Sequence, residues 1–157
     1  DLQKNIENIN STSTKLPFAN NSVDRVIALE SAQHFKPLSQ FISESKRVLT
    51  NSGLLVIAIP ITLGTSSLKD LGMLKFTWSS EHYSLDDVKN TLNSGGFEIN
   101  HEQLIGNSVY DPLADYYIKN REQLRKSILM KYPQYVESIL YKSILKMKYS
   151  TIVSDLN

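Results

Sequence analysis

The sequence predicts an α/β fold built on a parallel sheet, with a helical section toward its end. Two observations carry the sheet: short apolar runs alternate with amphipathic stretches through the first half, and two strand-like runs are joined through one helical pattern by short connections. That strand, helix, strand order implies a right-handed parallel crossover. A third observation carries the helices, because after Gly106 the composition shifts toward Tyr and Lys with apolar residues at helical spacing.

In chain order, Ile6 to Asn10 reads as a short strand, and Ser11 to Asn21 as a polar loop containing Leu16-Pro17-Phe18 and ending in the turn signal Asn20-Asn21-Ser22. Val23 to Leu29 carries Val26, Ile27, Ala28 and Leu29 in succession, the pattern of a strand covered on both faces. Leu38, Phe41, Ile42, Ser45, Val48 and Leu49 fall on one helical face. Pro37 suits the first helical position, and Thr50-Asn51-Ser52-Gly53 is the turn that stops the helix. Leu54 to Ile59 is the clearest strand, and Pro60 ends its pairing.

Ile61 to Tyr83 lacks periodicity and reads as a long loop with one helical turn. Ser84 caps a helix from Leu85 to Asn93, with Asp86 and Asp87 at its positive end and Gly95-Gly96 closing it. Phe97 to Ile105 alternates imperfectly as a strand. Asp111-Pro112 starts a helix with the stripe Leu113, Tyr117, Leu124 and Ile128, and Pro133 starts another with Val136, Ile139, Leu140, Ile144 and Met147. Tyr149 to Val153 reads as a last strand returning to the sheet.

Composition narrows the chemistry. The 157 residues are enough for one core without covalent staples, and zero cysteines exclude a disulfide framework, thiol chemistry, iron–sulfur clusters and the usual zinc modules. His34, His82 and His101 are too scattered for a metal site. Seventeen Lys and Arg against 16 Asp and Glu leave a formal charge of +1, with no global pull toward nucleic acid or an anionic membrane. The apolar run Leu54 to Leu63 is about half a membrane span, and Asp1-Leu2-Gln3-Lys4 does not resemble a signal peptide, so a soluble cytoplasmic protein is expected. None of the six glycines precedes Gly53, so no glycine-rich cofactor loop lies between a first strand and a first helix.

Ligands of open parallel sheets bind beyond the carboxyl ends of the strands. Ser11 to Leu16, Glu30 to Phe35, Pro60 to Gly64 and Ser108 to Tyr110 are the segments expected there. Glu30, Gln33 and His34 directly follow the first strand, and a histidine so placed suits proton abstraction near pH 7. The plainer alternative is a histidine bonded to a nearby backbone carbonyl. His82 reads as a solvated loop residue. Trp78, Tyr83, Tyr110, Tyr116 and Tyr117 suit either the wall of an apolar pocket or ordinary core. Lys119, Arg121, Arg125, Lys126 and Lys131 read as a solvated helix face partly offset by Glu122, with a phosphate-bearing partner as the less favoured alternative.

Several of these stretches together resemble a known family. Thr14-Lys15-Leu16-Pro17-Phe18, then Asn21-Ser22-Val23-Asp24-Arg25-Val26-Ile27-Ala28-Leu29-Glu30-Ser31 and His34-Phe35, are similar to the middle of class I S-adenosylmethionine-dependent methyltransferases of the type 11 branch, which act on small molecules such as sugars, quinones and sterols. Arg47-Val48-Leu49, the turn ending in Gly53 and Leu54-Leu55-Val56-Ile57 resemble that family's next helix, turn and strand. Tyr83-Ser84-Leu85-Asp86-Asp87 with Gly95-Gly96-Phe97 resemble a later helix and strand.

The resemblance implies a partial Rossmann-like methyltransferase sheet with a helical insertion before the last strand. It implies one N-terminally incomplete domain over 1–157, with a helical cap at 108–148. It implies S-adenosyl-L-methionine as cofactor, Thr12, Ser13, Leu29 and Glu30 as cofactor-binding residues, and His34 as the catalytic base for a hydroxyl acceptor. Trp78, Tyr83 and Tyr110 are the expected walls of a small-molecule acceptor pocket, with no metal, nucleic acid or membrane involved. Two departures matter. The family's acidic adenine contact is replaced by Thr12, and its glycine-rich section has no counterpart, which at about 1.5–3 kcal/mol per lost charge-assisted bond weakens cofactor binding roughly a hundredfold. The competing expectation is a non-catalytic fragment or interaction module, a homo-oligomer that pairs through the exposed edge of Val23 to Leu29.

Overall fold

The computed structural model describes residues 6–62 and 83–154, which fall into two compact units: residues 6–62 with 83–100, and residues 101–154. The first unit holds strand β1 (Val23–Leu29), a 3-10 turn (Ala32–His34), helix α1 (Leu38–Val48), strand β2 (Leu49–Ala58), the short strands β3 (Ile61–Thr62) and β4 (Tyr83–Ser84), and helix α2 (Leu85–Ser94). The second holds α3 (Gly106–Lys119), α4 (Arg121–Leu129) and α5 (Gln134–Ser154).

β1 and β2 pair in parallel, as the crossover pattern predicts. Their register is set by five successive pairs, from Arg25 opposite Leu54 to Leu29 opposite Ala58. Val23 pairs with Leu49, so Thr50 to Gly53 stand opposite Asp24 alone. The predicted turn is thus a bulge inside the span of β2, held by the Thr50 hydroxyl donating to Asp24 Oδ1 at 3.1 Å. α1 forms because Leu38, Phe41, Ile42, Ser45 and Val48 share one buried face and no glycine interrupts them; Pro37, which has no N–H to leave unpaired, sits at its N-cap. Leu38, Phe41 and Ile42 of that face pack with Ala28 and Ala32 as the core, joined by Val26, Phe35, Leu55, Ile57, Tyr83, Leu92 and Phe97. A fully buried Leu, Ile or Phe contributes about 1.5–3 kcal/mol, so α1 is the principal anchor of this unit.

The sheet is covered on one face. Val26 and Ala28 of β1 with Leu55 and Ile57 of β2 turn to the core, whereas Ile27 (62% exposed), Leu29 (63%), Leu54 (44%) and Val56 (46%) turn away from it. The expectation of a strand buried on both faces is therefore corrected: the apolar run is real, but among the described residues no element of this unit lies over its outer side.

α2 starts at a reciprocal capping box. The Asp87 N–H donates to Ser84 Oγ at 3.1 Å while the Ser84 N–H donates to Asp87 Oδ2 at 3.1 Å. It ends with Phe97 N–H on the Leu92 carbonyl and Gly96 N–H on Asn93, with Gly96 at φ +77°, the paired bonds of a Schellman motif.

Three predicted strands are corrected. Residues 6–10 and 97–105 are irregular, and Tyr149 to Val153 is the last part of α5. The polar run Asn100-His101-Glu102-Gln103 breaks the alternation that a strand needs. From Gln134 onward no Gly or Pro interrupts the helix, so the backbone keeps its internal bonds. α3 begins before the predicted start, leaving Pro112 inside it, and the predicted stripe divides at Asn120 between α3 and α4. Ala114, Tyr117 and Ile144 are the buried centre of the second unit, with Leu124, Ile128 and Tyr141 packed on them; Leu113 and Leu140, expected in the stripe, are exposed. No helix among the described residues is long and apolar enough to cross a membrane.

Candidate functional site

β1 ends in a strained residue. Glu30 has φ +46°, a left-handed conformation that costs a non-glycine residue about 1–3 kcal/mol, while its N–H still donates to the Ala58 carbonyl at 2.9 Å. The chain is held in register up to the last ladder bond and then turned sharply into the 3-10 turn. There His34 N–H donates to the Ser31 carbonyl at 2.9 Å, Ala32 is buried, and the His34 side chain is exposed. Gln33 between them is 2% exposed, and its Oε1 has no hydrogen-bond partner among the described residues. Glu30, Gln33 and His34 are thus presented by one short turn directly beyond the sheet.

The preceding loop is built on α1. Lys15 N–H donates to the Thr12 carbonyl at 3.1 Å and Ser11 Oγ to the Lys15 carbonyl at 2.9 Å, closing a tight turn that carries Thr12 and Ser13. The exposed Thr12 hydroxyl lies 3.0 Å from that of Thr14, and Ser13 is half-buried. One residue on, Leu16 N–H donates to Glu44 Oε2 at 2.9 Å. Arg47 Nε and Nη2 donate to Glu44 at 2.8 Å each, Nη2 also to the Leu16 carbonyl at 2.9 Å, and Nη1 to the Phe18 carbonyl at 2.8 Å and to Asn20 Oδ1 at 2.9 Å. The fork of one arginine therefore satisfies a stretch of backbone that belongs to no helix or sheet. The Arg47 guanidinium lowers the Glu44 carboxyl to about 2, against the opposing effect of partial burial and with help from the Leu16 N–H.

The remaining predicted residues are spread out. Leu29 lies at the end of β1 with its side chain exposed. Tyr83 is half-buried in β4 and, with Ser39, Ser43, Asp87, Asn90, Thr91 and Ser94, lines an open groove. Tyr110 belongs to α3 in the second unit; Trp78 and His82 lie outside the described residues.

Sequence reasoning missed two constellations. One is the Glu44–Arg47 clamp. The other sits in the helical unit, where Glu137, 1% exposed, accepts from Arg121 Nε at 3.0 Å. Arg125 Nε lies 4.0 Å from its second oxygen, and the Arg121 guanidinium lies 3.5 Å from the Tyr141 ring centroid. Burial, with the Glu137 charge adding, pushes the Tyr117 hydroxyl above its ordinary value, and that hydroxyl has no partner among the described residues. Arg121 is therefore half of an ion pair rather than part of a freely solvated basic face. The available signal was Glu137 itself, which shares a helix face with Tyr141 and Ile144. Among the described residues, no three His, Asp or Glu side chains gather as a metal site requires.

Comparison with known proteins matches residues 1–57 to the family described as methyltransferase domain. No curated protein matches the chain. A crystal structure of an S-adenosylmethionine-dependent methyltransferase of Thermotoga maritima, a possible histamine N-methyltransferase, is 22% identical over 57% of this chain and 44% of its own, with a TM-score of 0.47. The (4+2)-cyclase SpnF is 16% identical over 88% of this chain and 48% of its own, with a TM-score of 0.63. The chain thus spans less than half the length of either solved structure. The likeness to SpnF is one of fold, an α/β arrangement with a parallel sheet.

Proposed function

We propose that the protein takes part in methyl transfer from S-adenosylmethionine to a small-molecule acceptor, a reading supported by the match of residues 1–57 to the methyltransferase domain family. The observation that supports this reading most directly is the end of β1, where a strained Glu30, a buried Gln33 oxygen with no donor among the described residues and an exposed His34 occupy one turn beyond parallel strands.

These residues fit parts of the cofactor. Thr12 and Ser13 offer hydroxyl and backbone groups to the adenine, Leu29 borders the methionine portion, and Glu30 offers an acceptor for its amino group. Bound there, the cofactor supplies an electrophilic methyl group on a sulfonium sulfur. For a hydroxyl acceptor, an imidazole nitrogen of His34 takes the departing proton. Alignment of this kind is worth up to about 7–11 kcal/mol of a barrier, so positioning outweighs proton transfer in this reading.

Calorimetric titration with S-adenosylhomocysteine tests it. Saturable binding in the high micromolar to millimolar range, weakened by Glu30→Ala, is expected; no binding at millimolar ligand overturns the reading for this chain. With methyl-labelled S-adenosylmethionine and a panel of hydroxylated acceptors, His34→Ala is expected to slow labelling about 10²–10⁴-fold while leaving S-adenosylhomocysteine affinity unchanged.

A second reading is favoured by the open edge of β1, which among the described residues pairs only with β2: a homo-oligomeric interaction module pairing through that edge. Light scattering at micromolar concentration separates the two, since a stable folded monomer excludes edge pairing.

A further inference from the structure

We infer that Arg47 and Glu44 are positioning residues for the cofactor, acting through the Ser11 to Leu16 turn; this rests on the cofactor reading above. The turn that carries Thr12 and Ser13 is closed by bonds within itself, Lys15 to Thr12 and Ser11 to Lys15. Those bonds fix its shape but not its attitude to the sheet. Its attitude is set one residue later. Both backbone polar groups of Leu16 are taken by α1 side chains, its N–H by Glu44 and its carbonyl by Arg47, and Arg47 also holds the Phe18 carbonyl and the Asn20 side chain. Pro17 between them has no N–H to contribute. The chain beyond is stitched to the end of the same helix, with Asn21 N–H on the Arg47 carbonyl at 3.0 Å and Ser22 N–H on Val48 at 2.8 Å.

α1 is fixed by its buried face, so the clamp refers the turn to the core against which β1 and the Glu30 turn are also packed. A lysine cannot replace this arginine. Its single ammonium has three donors in no fixed plane, whereas Arg47 makes five bonds to four groups spread over Leu16, Phe18, Asn20 and Glu44. The clamp acts at a distance from the ligand, so its loss is read as weaker binding by an otherwise folded chain.

The experiment compares the unaltered chain with Arg47→Lys, Glu44→Gln and the milder Asn20→Ala, using amide hydrogen exchange and calorimetric titration with S-adenosylhomocysteine. In Arg47→Lys and Glu44→Gln, exchange at Leu16 is expected to accelerate at least about tenfold, exchange at Leu55 to Ala58 to stay unchanged, and affinity to fall about tenfold. Asn20→Ala, which removes one bond, is expected to lower affinity by about threefold and decides the matter if the stronger variants unfold. Faster exchange at the turn with unchanged affinity overturns the inference, as does unchanged exchange. Failure of the unaltered chain to bind overturns the cofactor reading and this inference with it, and is recognised before any variant is made.

Discussion

Arg121 Nε donates at 3.0 Å to Oε1 of Glu137, a carboxylate 16 residues away that is almost wholly buried. Breaking such a pair costs more than the pair is worth, because the remaining charge stays in a poor solvent. Arg121→Met is therefore expected to lower the thermal midpoint by about 5 °C or more. Arg125→Met, whose Nε is 4.0 Å from the carboxylate, is expected to lower it much less. Arg121→Met with Glu137→Leu together is expected to recover most of the loss, measured by circular dichroism on heating.

The Glu44 clamp gives acid sensitivity a definite sign. The folded-state value of about 2 lies below the ordinary 4.5, so the folded chain favours the ionised form and unfolding takes up a proton between those values. The contribution is complete above about pH 4.5 and is lost as pH falls toward 2. Urea midpoints at pH 6, 4 and 3 are expected to fall more steeply for the unaltered chain than for Glu44→Gln, so their difference shrinks on acidification.

Adjacent glycines at the end of α2 are expected to fail for different reasons. An added Cβ at Gly95, which has an ordinary φ, collides with Ile42 Cγ2 in the core. One at Gly96 meets only Lys46 Cε at 3.8 Å, but φ is +77°. Gly96→Ala is expected to cost about 1 kcal/mol from backbone conformation alone. Gly95→Ala is expected to cost about 2–3 kcal/mol from overpacking. In urea denaturation, a double-mutant cycle in which the Gly95→Ala cost shrinks in an Ile42→Ala background, which lacks Cγ2, while the Gly96→Ala cost does not, distinguishes the two.

Glu30→Gly removes the left-handed penalty and the carboxylate together. It is expected to raise stability by about 1 kcal/mol and to weaken S-adenosylhomocysteine binding. An unchanged or lower urea midpoint would show that the turn is not strained.

The local part of the fold was legible in the sequence. α1 followed from the spacing of Leu38, Phe41, Ile42, Ser45 and Val48, and α2 from Ser84, Asp87 and the closing glycines, because helix faces and caps are written within a few residues. Strand-like patterns at 6–10, 97–105 and 149–153 misled because a strand needs a partner that local alternation does not supply. At the candidate site, the positions of Glu30, Gln33 and His34 after β1 were readable. The positive φ at Glu30 and the burial of Gln33 were not, since both depend on how β2 and the core meet that turn. The clamp was hidden for the same reason: Arg47 and Leu16 are 31 residues apart, and each alone is unremarked.

The four residues of β2 that stand opposite Asp24 act as a length buffer. The pairs from Arg25–Leu54 to Leu29–Ala58 begin only after Gly53, so the end of α1 and the start of the regular ladder are mechanically separate. An inserted or deleted residue between Thr50 and Gly53 changes the size of the protrusion and leaves Ala58 under Glu30. The turn beyond β1 is thereby insulated from length changes at the opposite end of the sheet.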